Sequence, residues 1–225
     1  MDTTLSQIRE FLIIGGPVVW ILMGFSFIAL TIVIVKLWQL TLLRAESRKV
    51  VNLALEAWRQ RDAETAIKML SDKRPVESVV AYTMTSLKQA SRDCQCVREE
   101  AERRALNILH ELRSFLRPME VIASLAPLLG LLGTVLGMIT AFQQMEGAGA
   151  QVDPSVLSGG IWQALLTTAV GIAVAIPVVA LHAWLERKVE RVAHIMNDAV
   201  TQVFTSQEGE RLAAVAARRE VLHAA

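Results

Sequence analysis

Among the polar side chains in stretches of this 225-residue chain that hold no Asp, Glu, Lys or Arg, Thr134, Gln163, Thr167 and Thr168 stand out. A hydroxyl donates one hydrogen bond and accepts two, and an amide both donates and accepts, but neither titrates near neutral pH. Such groups can hold an ion, a water or a protonated acid in place without carrying the proton themselves. The threonines lie on stripes of small residues at helical spacing. One stripe is Ala126, Gly130, Gly133/Thr134, Gly137 and Ala141; the other is Gly160, Ala164, Thr167/Thr168, Gly171 and Ala175. Small residues let helix backbones approach closely in a membrane, and Gly133 and Gly137 form the G-x-x-x-G spacing that does so. Gln163 and Thr167 are i,i+4 and share a helix face, with Thr168 about 100° further round. Polar groups turned to lipid are costly, so these point inward. The chemistry is that of one half of an ion-driven machine whose acid is supplied by another chain.

The elements that position these residues follow from where charge is absent. Hydrophobic residues make up 53% of the chain and charged residues 20%, and the mean hydropathy is +0.40. The charge is segregated: residues 11–35, 121–145 and 154–185 contain none. Each run exceeds the roughly 20 residues that span a bilayer core. The fold class expected is an all-α membrane protein with transmembrane helices at 11–43, 121–145 and 157–185. The first is not a signal peptide. Its leader, with Asp2, Arg9 and Glu10, lacks a basic n-region, and its apolar run is longer than the roughly 7–15 residues of such a segment. It reads as a retained anchor. Pro17 suits a first helical turn, Trp20 and Trp38 suit the two interfaces, and Lys36 is expected to snorkel to the headgroups.

Lys and Arg placement sets the orientation. The segment 44–120 is rich in both, with Arg44, Arg48, Lys49, Arg113 and Arg117 near the spans, and Arg187, Lys188 and Arg191 follow the third. The loop 146–156 has neither, and residues 1–10 hold only Arg9. Residues 1–10 and 146–156 are therefore expected outside, and a helical segment 44–120 and a helical tail 186–225 in the cytoplasm. Within 44–120, periodicity predicts helices at 45–59, through Leu70, and at 76–89, with a turn at 71–75. A long charged helix from Cys96 is expected to enter the second span almost without interruption. The tail is expected to be helical to about Gln207, and 211–225 helical or frayed. Cys94 and Cys96 read as reduced thiols on a helix.

The two runs taken together resemble the ExbB/TolQ/MotA family of proton channels. The matching residues are Pro127-x-x-Gly-Leu-Leu-Gly-Thr-Val-x-Gly137 and Gly160-Ile-x-x-Ala-Leu-x-Thr-Thr-Ala-x-Gly-x-x-x-Ala-Ile-Pro177. Three spans place the chain with the ExbB/TolQ branch. The resemblance implies a homopentamer in the bacterial inner membrane around a single-span partner of the ExbD/TolR type. The partner's intramembrane Asp carries the proton past a ring of hydroxyls, here Thr134 and Thr168. The work passes to a TonB- or TolA-like protein. Gly130, Gly133, Gly137, Ala164, Gly171, Pro127 and Pro177 are assigned to helix packing. Pro177 also frees a carbonyl near Ala173.

One departure stands out: many ExbB and TolQ chains have Glu where this one has Gln163. An amide cannot release a proton, so Gln163 is read as orienting the partner or a water. His182 is read as an interfacial anchor. No cofactor or metal is expected, the transported ion is taken to be the proton, and a net charge of +1 divided between compartments does not suggest nucleic acid. The rival reading is a structural membrane scaffold in which Thr and Gly only pack. An enzyme lacks support, because the chain has no Ser/His/Asp set, metal-ligand spacing or phosphate loop. Whether the load is import or another envelope task is left open.

Overall fold

The computed structural model describes residues 16–42, 48–89, 93–148 and 154–223. These form seven helices in chain order: α1 Gly16–Leu42, α2 Arg48–Arg59, α3 Ala63–Met69, α4 Pro75–Lys88, α5 Cys94–Arg113, α6 Leu116–Ala148 and α7 Pro154–His223. Among the described residues there is no strand. The expected outer leader 1–10, and residues 149–153 of the expected loop, lie outside them. The chain divides into two compact units. One holds the chain up to Lys36 with Phe115–Leu185, the other Leu37–Ser114 with the rest of α7.

In the first unit α1, α6 and α7 each contain a window long and apolar enough to cross a membrane. Only 28% of the residues in each window are buried. That inverts a water-soluble core, in which the most apolar helices are the most covered. Trp20, Phe27, Leu128, Leu131, Phe142, Trp162, Leu165 and Ile176 are all more than half exposed, as lipid-facing side chains must be. The central buried cluster is small or branched: Val18 and Leu22 of α1 meet Ala126 of α6 and Ala175 of α7, flanked by Leu129, Val170 and Val174. Pro127 and Pro177 both lie inside unbroken helices.

One expectation is corrected here and another is refined. Lys36 does not snorkel to the headgroups: it is 2% exposed, and its ammonium lies 5.8 Å from the centre of the Phe115 ring. An aromatic face attracts a cation and offers an inward alternative to the interface. The charged helix does lead almost directly into the second span, with one two-residue break. It stops at Arg113, Phe115 takes φ +65, and α6 starts at Leu116. Pro118 explains the break. In a continuous helix its ring would meet the Ser114 carbonyl one turn back; after the break it occupies a first turn, where no N–H is needed. Ser114 Oγ donates instead to Glu111 O at 2.6 Å. At the far end α7 remains helical to His223.

The second unit is an amphipathic bundle. α2 packs on α3 and α4, and α4 on α5. Val51, Ala54, Ala66, Val79, Val80, Met84, Val97 and Ala101 are buried with Val192, Met196, Ala199 and Val203 of α7. Cations tie the helices: Arg104 lies 3.7 Å over the Tyr82 ring of α4 and Arg98 4.7 Å over Phe204 of α7. Arg59 donates to Gln202 at 2.7 Å. Glu100 accepts from Arg103 and Arg104, which hold its carboxyl down at about 2, so it stays charged throughout the neutral range. Cys94 and Cys96, free thiols, occupy the first turn of α5.

The buried carboxylate of this unit is Glu77, 1% exposed. Pro75 opens α4, and Glu77 reaches back to accept from the Ser71 N–H at 2.9 Å and from Arg74 at 2.7 Å. It thereby fixes the turn between α3 and α4. Glu77→Ala leaves both donors without that acceptor and is expected to destabilise the unit by about 1–3 kcal/mol. The readout is a lower thermal midpoint of the detergent-solubilised chain, with Glu77→Gln falling less because it keeps one acceptor.

Candidate functional site

The hairpin of α6 and α7 is built on the small-residue stripes. A side-chain carbon placed on Gly133 would lie 2.5 Å from Thr167 Oγ1, one on Gly137 3.0 Å from Ala164 Cβ, and one on Gly160 2.5 Å from Ala141 Cβ. On Gly130 it would lie 3.0 Å from the Thr167 carbonyl, and on Gly171 2.6 Å from the Ala126 carbonyl. The contacts step down one helix as they step up the other, so the register is continuous from Ala141 to Ala126. Backbones this close gain dispersion along the whole seam, which is what holds helices together where lipid is as apolar as the side chains.

Close approach brings the Gly130 carbonyl within reach of the opposite helix. Thr168 Oγ1 donates to it at 3.0 Å. Thr167 Oγ1 lies 3.3 Å from the same oxygen and 2.7 Å from its own Ala164 carbonyl. The two neighbours differ in setting: Thr167 is 2% exposed, shut in the seam against Gly133, whereas Thr168 is half-buried at its edge. Thr134, also half-buried, donates to Leu131 O of its own helix at 2.6 Å. With their protons committed to carbonyls, Thr134 and Thr168 offer oxygen lone pairs outward. A hydroxyl so arranged accepts a hydrogen bond from a hydrated proton or a protonated acid.

A bond to the own helix does not mark function. Thr31 and Thr140 are exposed and bond the Phe27 and Leu136 carbonyls four residues back, the ordinary habit of membrane threonines. Thr168 differs in bonding across the seam. Ala164 is buried in the seam against Gly137, Pro127 is half-buried next to Ala126, and Pro177 is exposed two residues past Ala175. Gln163 is half-buried, and its amide nitrogen approaches Gly16 at the start of α1. That neighbour was not anticipated from the sequence; its only signal is Gly15-Gly16-Pro17 at the head of an apolar run. His182 is half-buried. Among the described residues no cluster of His, Cys, Asp or Glu could hold a metal ion.

Three apolar helices and a glycine-lined hairpin define a membrane protein. Residues 71–198 match the MotA/TolQ/ExbB proton channel family, and the chain belongs to that family, in its ExbB/TolQ branch. It is similar to biopolymer transport protein exbB1 of Vibrio cholerae, 39% identical over 92 residues that cover 39% of this chain and 40% of that protein. It is similar to the Tol-Pal system protein TolQ of Haemophilus influenzae, 28% identical over 187 residues, 78% of this chain and 80% of that one. With biopolymer transport protein ExbB of Helicobacter pylori it shares 43% identity over 84 residues, 37% and 56% of the two chains. The matched part thus spans less than two thirds of both ExbB proteins and most of the TolQ protein. The family is one of proton channels that energise membrane work, not a family of enzymes.

Proposed function

We propose that this chain is the ion-conducting subunit of a complex in the bacterial inner membrane that converts the proton-motive force into work on the cell envelope. The observation that carries the reading is the hairpin itself. It presents hydroxyls with committed protons and free lone pairs, and its spans hold no carboxylate to shuttle a proton. The acid must come from another chain, and an ExbD/TolR-like single-span protein with an intramembrane Asp is the partner of the right chemistry. Protons pass from the outer side to that Asp, then by Thr134 and Thr168 to the cytoplasm. Thr167, closed in the seam, serves packing. Five copies around the partner leave a central lumen, and a TonB- or TolA-like protein receives the work. The excess of Lys and Arg in 44–120 and after the third span supports an outer N-terminus, with the second unit and the tail in the cytoplasm.

Native mass spectrometry of the chain co-expressed with its single-span, Asp-bearing partner tests the assembly. The expected mass is that of five copies of this chain with two of the partner. A partner-free assembly of another number would favour the scaffold reading, in which the threonines only pack.

A further inference from the structure

The Gly130 carbonyl has two claimants on the opposite helix. Thr168 Oγ1 donates to it at 3.0 Å. Thr167 Oγ1 lies 3.3 Å from it and 2.7 Å from the Ala164 carbonyl, and a hydroxyl has a single proton to give. A carbonyl oxygen has two lone pairs. Within unbroken α6 the N–H four residues on, that of Thr134, takes one of them, which leaves one for the facing helix. Close backbones keep that oxygen in reach: a side-chain carbon on Gly130 would lie 3.0 Å from the Thr167 carbonyl and 3.1 Å from Thr168 Cα. Thr167 is 2% exposed, and a bilayer core supplies no water to a carbonyl that loses its donor. The Ala164 carbonyl can release Thr167, because it keeps the Thr168 N–H four residues on in α7. Swinging the Thr167 proton from Ala164 to Gly130 is a rotation about the C–O bond and moves no heavier atom.

A proton carrier makes opposite demands on Thr168. A protonated acid donates, so Thr168 meets it with a lone pair and keeps its own proton on Gly130. An ionised carboxylate only accepts, so Thr168 must turn its proton outward and leave Gly130. We propose that Thr167 is the reserve donor to the Gly130 carbonyl: its proton takes Gly130 when Thr168 turns to an ionised carrier, and returns to Ala164 when Thr168 turns back. Each proton stays on its own oxygen, and the two hydroxyls rotate in step. Thr167 therefore does not only pack. It is a positioning residue that acts through Thr168 and lets one hydroxyl serve both protonation states of the carrier. As a role in conduction this rests on the channel reading above; the exchange of donors at Gly130 stands apart from it.

The exchange can be read directly. Gly130–Leu131 is the only Gly-Leu pair in the chain, so carbon-13 in glycine carbonyls with nitrogen-15 in leucine isolates the Gly130 carbonyl by NMR of the full chain in detergent. Thr168→Val is expected to leave its shift near the unsubstituted position, because Thr167 takes over. Thr167→Val leaves it there too, because Thr168 still donates. The double variant moves it upfield, as a lost hydrogen bond does, and Thr168→Ala repeats the reading with a smaller side chain. A Thr168→Val displacement as large as that of the double variant means that Thr167 stays on Ala164 and overturns the proposal, and so does a double variant that does not move. In proteoliposomes with the Asp-bearing partner, Thr167→Val is expected to lower proton flux roughly fivefold, the worth of one hydrogen bond. Thr167→Ser, which keeps the hydroxyl and loses a methyl, lowers the thermal midpoint but keeps the flux. Mere packing predicts the reverse order, with valine silent and serine impaired, and that result overturns the conduction role. In the Thr168→Val background Thr167→Val has no further effect, because no turning hydroxyl remains to be relieved. If the unsubstituted complex conducts no protons, the channel reading fails, while the carbonyl shifts still decide the exchange.

Discussion

Thr168→Val is expected to abolish most proton flux while leaving the complex assembled. Valine has nearly the volume and the same β-branching as threonine, so the seam against Gly130 keeps its shape. The loss is one hydroxyl. Its bond to the Gly130 carbonyl has a net worth of about 1 kcal/mol, and the Thr167 hydroxyl remains within 3.3 Å of the same oxygen, so the carbonyl is not stranded. Conduction depends on the other side of the hydroxyl, the lone pairs offered to the protonated carrier. A hydrogen bond to a charged group contributes about 1.5–3 kcal/mol, which as a barrier is roughly a ten- to hundredfold fall in rate. The measurement is acidification inside proteoliposomes that hold the complex with its partner, with subunit content checked by native mass. Thr140→Val is the internal comparison: Thr140 is exposed and bonds only Leu136 of its own helix, so its loss leaves flux unchanged. Equal flux from Thr168→Val and Thr140→Val would remove Thr168 from the ion path and return both residues to packing.

The difference between Thr167 and Thr168 marks where legibility in the sequence ends. The three apolar helices are legible because a bilayer forbids charge over some 20 residues, and that pattern needs no neighbour to interpret it. The small-residue stripes are legible for a similar reason, since 3.6-residue periodicity puts Gly130, Gly133 and Gly137 on one side of a helix whatever it meets. Which of two adjacent threonines enters the seam depends on the register between two helices, and that is a property of the pair. Gly133 resolves it by standing opposite Thr167, leaving Thr168 at the edge. The break at Phe115 had its signal in Pro118, three residues on, which periodicity alone passes over. The burial of Lys36 had none, because the aromatic ring its ammonium approaches, Phe115, stands in the break before α6, 79 positions away in the chain. The Gly16 contact to Gln163 likewise joins residues 147 positions apart in the chain, beyond any local rule.

The seam itself makes the second large prediction, in which two glycines of one motif behave differently. At Gly171 an added methyl would meet the Ala126 carbonyl at 2.6 Å and Gly130 Cα at 3.0 Å. Both are backbone, no rotamer relieves the contact, and the helices must part. Separation forfeits dispersion along the seam and lengthens the Thr168 bond to Gly130. Gly171→Ala is therefore expected to cost about 1–3 kcal/mol, despite a gain in helix propensity of about 1 kcal/mol for replacing glycine, and Gly171→Val more. At Gly133 the atoms in the way are the Thr167 side chain, at 2.5 to 3.1 Å. Gly133→Ala should be destabilising alone and largely recovered by Thr167→Gly, which clears all three atoms, whereas no partner side-chain change recovers Gly171→Ala. Gly24→Ala supplies the baseline: nothing lies within 4 Å of its added carbon, so only the propensity gain remains. Thermal midpoints in one detergent rank the series as Gly24→Ala highest, the Gly133/Thr167 double variant next, and Gly171→Ala lowest. If Gly171→Ala melts with Gly24→Ala, the helices are not in backbone contact and Thr168 cannot reach Gly130. The geometry that frees its lone pairs for a proton would then have to come from contacts supplied by the neighbouring subunits.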